Sequence, residues 1–237
     1  MATSKDKIGL GNIDQYPPRK KGSIYRIMNF CHLVDLFKKR ELHFSHPSVW
    51  EDKYETRLTH DDLGRVFGQC WSNHYSSDAM WRIYSQSFMG VRISTTPRQF
   101  REAVDQANEK GANLRFRLQD VRYLPLEGVT MAVRRVREKI DNGEELCDVT
   151  DALFYKRNFF DHEAECRALL ITEESNPDAV RTGIKLPINP HIFINRILLD
   201  PRTPDQLADA FINYIQKKLN YKGEIGISSL HRVPKPL

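Results

Sequence analysis

The sequence lacks the features that mark several common classes of protein. Its four cysteines, Cys31, Cys70, Cys147 and Cys166, lie far apart and form no CxxC pair, so neither a disulfide framework nor a zinc knuckle is indicated. No stretch approaches the roughly 18 consecutive apolar residues of a membrane span. Residues 1–7 are polar and lack the apolar core of a signal peptide. We therefore expect a cytoplasmic protein in a reducing compartment that does not associate with a membrane.

Several catalytic motifs are missing as well. The sequence contains neither GxxxxGK[ST] nor GxGxxG, so it has no recognisable phosphate-binding loop. The eight histidines form no HExxH motif and no regular cluster, which gives little support to metal chemistry. No GxSxG elbow anchors a serine triad. An enzymatic site in this chain would therefore be assembled from strand residues.

What the composition does provide is typical of a globular protein. The 237 residues are 40% hydrophobic and 28% charged, which is enough to bury a substantial core. Lys and Arg number 36 against 31 Asp and Glu, giving a net charge of +5. This balance is compatible with an anionic ligand or nucleic acid but requires neither. The densest basic run, residues 134–139, has a helical pattern and is more typical of a solvated face than of a phosphate-binding surface.

The pattern of elements predicts an α+β fold. Residues 1–22 are expected to form a flexible N-terminal arm, and residues 23–237 a single domain. Strands are predicted at 24–28, 42–45, 66–72, 90–94, 118–124, 192–199 and 225–229, and a central strand from Cys166 onward. Helices are predicted after Asn29 and Thr96, and over 79–85, 128–140, 152–157 and a long segment from Thr203. This alternation is too irregular for a doubly wound parallel sheet.

The stretch from Phe159 to Thr172 organises the functional interpretation. If the strand already runs at Glu163, then Glu163, Glu165 and Arg167 project from one face. Either Arg167 neutralises the two acids in an exposed ladder, which is the common arrangement, or the three side chains line a polar cleft in a buried sheet. The positions of the other unusual residues favour the cleft.

Other candidate residues lie in the first half of the chain. Arg26 follows Tyr25 in a predicted strand, where an arginine usually points to solvent but could hold a phosphate or carboxylate. Ser72 ends another strand. Trp81 and Tyr84 are large aromatic residues, which most often belong to a core but can also stack on a nicotinamide or a base.

These blocks, taken in order, resemble a large bacterial family of unknown function. The resemblance rests on Ser23–Arg26, the segment Leu42–Asp52 with Glu55, Cys70–Ser72, Met80–Tyr84 with Gly90–Val91, and Glu163–Arg167. The family has Phe-Asn-Asp-Pro where this chain has Trp50-Glu51-Asp52-Lys53, so the role of the loop from Trp50 to Glu55 is open. It has Trp before the glutamate pair, where this chain has Phe159 or Phe160.

A looser resemblance links the same residues to mono-ADP-ribosyltransferases. It implies a split, bent β-sheet core with flanking helices and NAD as substrate. It also implies that Arg26 holds the dinucleotide phosphates, Ser72 steadies the catalytic strand and Glu165 contacts the nicotinamide ribose. Glu163 would position the nucleophile, and Tyr25, Trp81 and Tyr84 would complete the cofactor site.

On this interpretation the protein is a toxin or phage-defence effector. It would act on a protein or nucleic-acid acceptor and be held in check by an inhibitory partner. Two alternatives remain: a nucleic-acid-binding or nuclease module that uses Arg26, Arg82, Arg167 and the basic helix, and a non-catalytic subunit of a defence complex.

Overall fold

A computed structural model describes residues 22–143 and 148–232 of the chain. Apart from Gly22, the predicted N-terminal arm lies outside the described residues, and so does Cys147. No helix within the described ranges is long and apolar enough to cross a membrane.

Strands and helices alternate irregularly along the described chain. The strands are Ile24–Asn29 (β1), Glu41–Phe44 (β2), Val66–Ser72 (β3), Gly90–Thr95 (β4), Arg115–Asp120 (β5), Arg122–Leu124 (β6), Tyr155–Arg157 (β7), Glu165–Ile171 (β8), Ile184–Pro187 (β9), Arg196–Leu199 (β10) and Glu224–Ile227 (β11). The helices are Phe30–Lys39 (α1), Asp78–Tyr84 (α2), Pro97–Asn108 (α3), Leu126–Asp141 (α4), Pro177–Thr182 (α5), Pro190–Phe193 (α6) and Asp205–Lys217 (α7). The α+β class is thereby confirmed.

Several elements follow directly from local sequence signals. Asn29 caps α1 as predicted, because its side-chain oxygen accepts a hydrogen bond from the backbone N–H of Cys31 at 3.1 Å. β3 occupies the predicted positions, and α3 begins at Pro97, immediately after Thr96. These predictions are confirmed. They were possible because each element depends on capping or periodicity within a few residues.

Other predicted elements are wrong or incomplete. The helix predicted at 152–157 is absent: a 3₁₀ turn, Val149–Phe154, leads into β7. β7 pairs in parallel with β6, so the extended form supplies backbone hydrogen bonds that a short helix would have to replace. The strand predicted at 118–124 is two strands, β5 and β6, and the one predicted at 192–199 begins as helix α6.

The described chain divides into two compact units. The first unit contains residues 43–71, 104–143 and 148–186, and the second contains residues 22–42, 72–103 and 187–232. The expectation of one domain over 23–237 stays a prediction.

In the first unit, β8 lies between β3 and β5. β5 and β8 are antiparallel, with Gln119 opposite Arg167. Every residue of β8 is buried, which explains its continuous apolar run from Ala168 to Ile171. Two apolar clusters support this sheet and helix α4; one includes Val66, Leu153 and Leu169, and the other includes Val136 and Ile140.

In the second unit, four strands follow the order β11, β10, β4, β1. β4 is antiparallel to both β1 and β10, whereas β10 and β11 are parallel. Helix α1 packs on α7 through stacked rings of Phe30 and Phe211, whose centroids are 3.9 Å apart. Helix α1 buries Leu33, Leu36 and Phe37, and α7 buries Ala208 and Ile215.

Candidate functional site

Five charged side chains of the first unit converge in its interior. Glu165 and Arg167 come from β8, Lys156 from β7, Glu163 from the 3₁₀ turn Asn158–Glu163, and Glu55 from a 3₁₀ turn over residues 53–56. We call these five residues the carboxylate cluster. Their side chains are at most 12% exposed. Charges buried to this extent are rare in proteins unless they are paired, and here each of them is.

Arg167 holds one side of the cluster. Its guanidinium is fully buried and donates to both carboxylate oxygens of Glu165, from Nε at 2.7 Å and from Nη2 at 2.8 Å. Nη2 also donates to Glu55 at 2.9 Å, and Nη1 donates to the Leu153 carbonyl. The two-pronged contact with Glu165 fixes the orientation of both groups.

Lys156 holds the other side. Its ammonium lies 2.6 Å from Glu163 Oε2, 3.2 Å from Glu165 Oε2 and 3.2 Å from Glu55 Oε1. The Glu55 contact is an ion pair without hydrogen-bond geometry, because Oε1 has no hydrogen-bond partner among the described residues. One ammonium therefore joins all three carboxylates.

The loop from Trp50 to Glu55 supports this cluster. The Trp50 ring lies 4.3 Å from the Arg167 guanidinium carbon, and Glu55 pairs with Arg167 and Lys156. Asp52 accepts a hydrogen bond from Arg157 at 2.9 Å. Gly68 permits the close approach of Trp50, since a Cβ at this position would lie 2.4 Å from the indole.

The electrostatics keep Glu165 ionised. Burial raises the pKa of its carboxyl, but Arg167, Lys156 and a hydrogen bond from Cys70 outweigh burial and lower the pKa to about 2. Desolvation raises the pKa of Glu55, which Arg167 and Lys156 only partly oppose. Burial acts to lower the pKa of Lys156, but the three neighbouring carboxylates outweigh burial, so the pKa is raised. With all five groups ionised, three carboxylates face two cations, so the cluster carries a net charge of −1.

Cys70 lies beside the cluster. The residue is exposed, yet its thiol hydrogen-bonds to the Glu165 carboxylate. Desolvation raises the pKa of this thiol even though the residue reaches solvent, and the negative charge of Glu165 adds to the effect. The thiol is therefore protonated and serves as a donor to Glu165.

The structure corrects the expected geometry of the glutamate pair. β8 begins at Glu165, and Ala164 has φ 40°, so Glu163 is not part of the strand. The pair is brought together by Lys156 rather than by strand alternation. An exposed ladder with Arg167 is wrong, because Arg167 is 0% exposed.

The residues predicted to bind NAD lie in the second unit. Tyr25 pairs with Ser72 on one side and with Ser94 on the other, so all three side chains share one face of the sheet. Ser72 is buried and accepts a hydrogen bond from the backbone N–H of His74 at 3.0 Å. Arg26 pairs with Ile93 and points to the opposite face. The structure therefore does not bring Arg26 together with Ser72, and its assignment to the phosphates stays a prediction.

The two predicted aromatic residues of α2 differ in accessibility. Trp81 is 0% exposed, so a ligand could stack on it only after the surrounding core had rearranged. Tyr84 is 45% exposed and accessible to a ligand. Their roles in cofactor binding also stay predictions.

Sequence reasoning missed Lys156 and Arg92, and it named Glu55 only as part of the family resemblance, without a role. Arg92 shares a face with Ser94 and lies in a strand between buried Val91 and Ile93, so its position resembles that of Arg26 and offered the same signal. Lys156 was missed because its segment was predicted as helix, although Glu163 and Glu165 lie only 7 and 9 residues further along the chain.

No family model matches the chain, and no curated protein matches it. Solved structures that resemble it are those of Thermus sp. 2.9 DarT in complex with carba-NAD⁺, with NAD⁺ and with ADP-ribosylated ssDNA. They are 13%, 12% and 11% identical, with TM-scores of 0.38, 0.40 and 0.42. Each alignment covers 90% of this chain and 96–97% of the DarT chain. At such TM-scores the likeness carries no inference about activity.

Proposed function

We propose that this chain cleaves the bond between nicotinamide and ribose in NAD and passes the ADP-ribosyl group to a macromolecule or to water. The observation that carries the proposal is the pair of carboxylates, Glu163 and Glu165, held on the ammonium of Lys156. Nicotinamide leaves with the electron pair of the C1′–N bond, so positive charge develops on the ribose. A fixed and net negative group of carboxylates is suited to stabilise that charge.

The two glutamates have different roles in this proposal. Glu163 keeps the expected role toward the nucleophile, and the ribose contact expected for Glu165 is assigned to Glu163 as well. Glu163 keeps 12% of its side chain exposed, whereas Glu165 keeps 2% and is bound by Arg167. Glu163 is therefore the acid that meets the ribose and takes the proton of the attacking hydroxyl. Glu165 is a positioning residue that keeps Lys156 and the negative charge in place.

The test has two measurements on NAD labelled in the adenine ring. Released nicotinamide is measured directly and reports cleavage, and the adenine label, which stays with ADP-ribose, is counted separately on protein and on nucleic acid. Glu163→Gln should lower kcat by about a hundredfold or more while KM stays near the wild-type value. The control is Glu174→Gln, which removes one exposed charge from the loop after β8 and should retain wild-type turnover. Wild-type turnover in Glu163→Gln would exclude the assignment, and no release from wild-type protein with any acceptor would exclude the activity.

The NAD-binding roles remain part of the proposal for Tyr25, Arg26, Ser72, Trp81 and Tyr84. The shared face of Tyr25 and Ser72 supports these two. If Arg26 holds the phosphates, Arg26→Ala should raise KM more than it lowers kcat, because a phosphate clamp acts on ground and transition states alike. An unchanged KM would remove Arg26 from the binding site.

A nucleic-acid acceptor is favoured by one feature of the first unit. A cavity of about 450 Å³ beside α4 has three basic residues in its lining, Arg122, Arg135 and Lys139, against one acidic residue, Asp151; most of the other lining residues are apolar. Such a basic recess can follow a phosphate backbone. Binding of single-stranded DNA should then weaken steeply with salt, and Arg135→Gln should reduce the salt dependence.

The biological role is also a proposal. A toxin or phage-defence effector with this activity would need an inhibitory partner in its own cell. Expression of the wild-type chain alone should arrest growth, and co-expression of the partner, if it exists, should relieve the arrest. Expression of the Glu163→Gln variant alone should leave growth normal. Growth arrest by Glu163→Gln would show that toxicity does not depend on the proposed chemistry.

A further inference from the structure

The second unit contains a small polar cavity whose Arg92 packs on the ring of Tyr25, a residue proposed above to bind NAD. Its volume is about 300 Å³, at the lower end of the range for small-molecule sites. The residues that line it include Arg92, Arg196 and Arg232 and the hydroxyl-bearing Ser76, Ser228 and Ser229. None of the described lining residues is acidic. The lining thus combines positive charge with hydrogen-bond donors.

The sheet sets the positions of two of these arginines. Ser94 pairs with Arg196 across β4 and β10, and Arg92 lies two residues from Ser94 on the same strand. Arg92 and Arg196 consequently project from one face, so two guanidinium groups lie on neighbouring strands. Burial lowers the pKa of Arg92, Tyr25 and Tyr75 oppose this shift, and the positive charge of Arg196 adds to it. Placing like charges together in this way is unfavourable unless an anion is bound between them.

Arg92 is held in place without a carboxylate. The residue is 5% exposed, and its guanidinium carbon lies 4.9 Å from the Tyr25 ring and 5.0 Å from the Tyr75 ring. Nη1 donates to the Tyr75 carbonyl. No acidic side chain among the described residues forms an ion pair with Arg92. The aromatic rings orient the group and leave its positive charge uncompensated.

The rest of the cavity retains positive charge as well. Arg196 pairs with Glu224 at 2.6 Å, but its buried Nε has no hydrogen-bond partner among the described residues. Arg232 forms no ion pair within the described part of the chain. Three guanidinium groups and one partner carboxylate leave a net charge of +2. By contrast, Arg82, Arg98 and Arg202 of the same unit each pair with a carboxylate within 2.7 Å.

We propose that this cavity binds the terminal phosphate of a phosphorylated ligand, with Arg92, Arg196 and Arg232 as its charged contacts. A phosphomonoester carries about −1.5 to −2 charge at neutral pH and three acceptor oxygens, which matches the charge and the donors of the cavity. The volume accommodates the phosphate with part of a sugar. This site rests on the second unit alone. It adjoins Tyr25, but binding of phosphate or AMP can be measured whether or not the chain cleaves NAD.

The test is isothermal titration calorimetry on the full chain at constant ionic strength, with inorganic phosphate, AMP and adenosine as probes. Phosphate and AMP should bind and adenosine should not. Arg232→Gln should weaken AMP binding at least about tenfold, since it removes a charged donor from the phosphate. Arg98→Gln removes the same charge from an exposed helix position, where the side chain is 86% exposed, and should bind AMP as the wild type does.

A second pair of variants tests the location. Gly226 lines the cavity, and a Cβ there would meet only Leu198 at 3.6 Å, which is an ordinary contact. Gly226→Ala should therefore keep AMP binding, whereas Gly226→Glu should abolish it by placing a carboxylate among the arginines. Equal binding by Gly226→Ala and Gly226→Glu would place the ligand elsewhere and overturn the proposal.

Oligonucleotides distinguish two sources of the phosphate, a small phosphorylated molecule and the phosphorylated end of a DNA strand. Stronger binding of a 5′-phosphorylated oligonucleotide than of its 5′-hydroxyl counterpart, with AMP inactive, would identify the end of a nucleic-acid strand as the ligand and uphold the site. Equal binding of the two oligonucleotides would indicate backbone contacts and overturn it. So would an absence of binding by phosphate, AMP and both oligonucleotides, or equal weakening in Arg98→Gln and Arg232→Gln.

Discussion

Arg167 in the first unit and Arg92 in the second are both buried arginines, but their surroundings differ. Arg167 is 0% exposed and contacts the carboxylates of Glu165 and Glu55. Arg92 is 5% exposed and lies between the rings of Tyr25 and Tyr75. The pKa of Arg167 is raised, since its carboxylates outweigh the desolvation that acts on it, whereas burial lowers the pKa of Arg92.

The difference shows two ways to keep a guanidinium inside a protein. Carboxylates neutralise the charge and make the arginine part of the fold, and a ligand then has little to gain by approaching it. Aromatic rings fix the orientation but leave the charge for a ligand to neutralise. On this basis we expect Arg167 to matter mainly for stability and Arg92 mainly for binding.

The largest effect should come from Arg167→Met. The change leaves Glu165 and Glu55 buried with one cation fewer, which should lower the free energy of unfolding by about 3–5 kcal/mol. Chemical denaturation measures it. Arg181→Met, at an arginine whose side chain is 81% exposed, is the control and should change stability by less than about 1 kcal/mol. Similar losses in the two variants would show that the carboxylate cluster does not stabilise the fold.

Lowering the pH should reveal how much ionised Glu165 contributes to the free energy of unfolding. Its folded pKa is about 2 against an ordinary value of 4.5, so its stabilisation is complete above about pH 4.5 and is lost as the pH falls toward 2. The stability difference between wild type and Glu165→Gln should shrink by about 3 kcal/mol over this window. The raised pKa of Glu55 acts in the opposite direction, and this shift should be smaller in Glu165→Gln because the charge of Glu165 contributes to it. Parallel stability curves for the two proteins would contradict the shift.

Gly68→Ala should have an intermediate effect. The added Cβ would meet the Trp50 ring at 2.4 Å and force it away from Arg167, at a cost of about 1–3 kcal/mol. In the double variant with Trp50→Leu most of this cost should disappear, because the smaller side chain removes the clash. Additive losses in the double variant would mean that Gly68 is needed for another reason.

Arg92→Met should have the smallest effect on stability. It replaces a buried cation that has no carboxylate partner with an apolar side chain of similar length, so the free energy of unfolding should stay within about 1 kcal/mol of the wild type. The same variant should lose affinity for AMP. A loss of stability as large as that of Arg167→Met would remove the distinction between the two arginines.

Parts of this description could be predicted from the sequence, and the limits have physical causes. β3, the cap at Asn29 and the start of α3 depend on neighbouring residues, and the sequence contains those signals. The carboxylate cluster depends on ion pairs between remote segments, such as Glu55 with Lys156, and local patterns contain no information about them. The separation of Arg26 from Ser72 is a matter of strand register, which follows only when the pairing of β1 is known.

The left-handed backbone at Ala164 restricts which residues can stand between the two glutamates of the Glu-Ala-Glu segment. In a regular strand the middle residue can be almost any residue suited to extended backbone. Here it must tolerate φ 40°, which costs a non-glycine residue about 1–2 kcal/mol. Glycine, asparagine or aspartate would fit this position, whereas valine or isoleucine would be excluded. A variant library built around the two glutamates should therefore vary position 164 by backbone preference rather than by hydrophobicity.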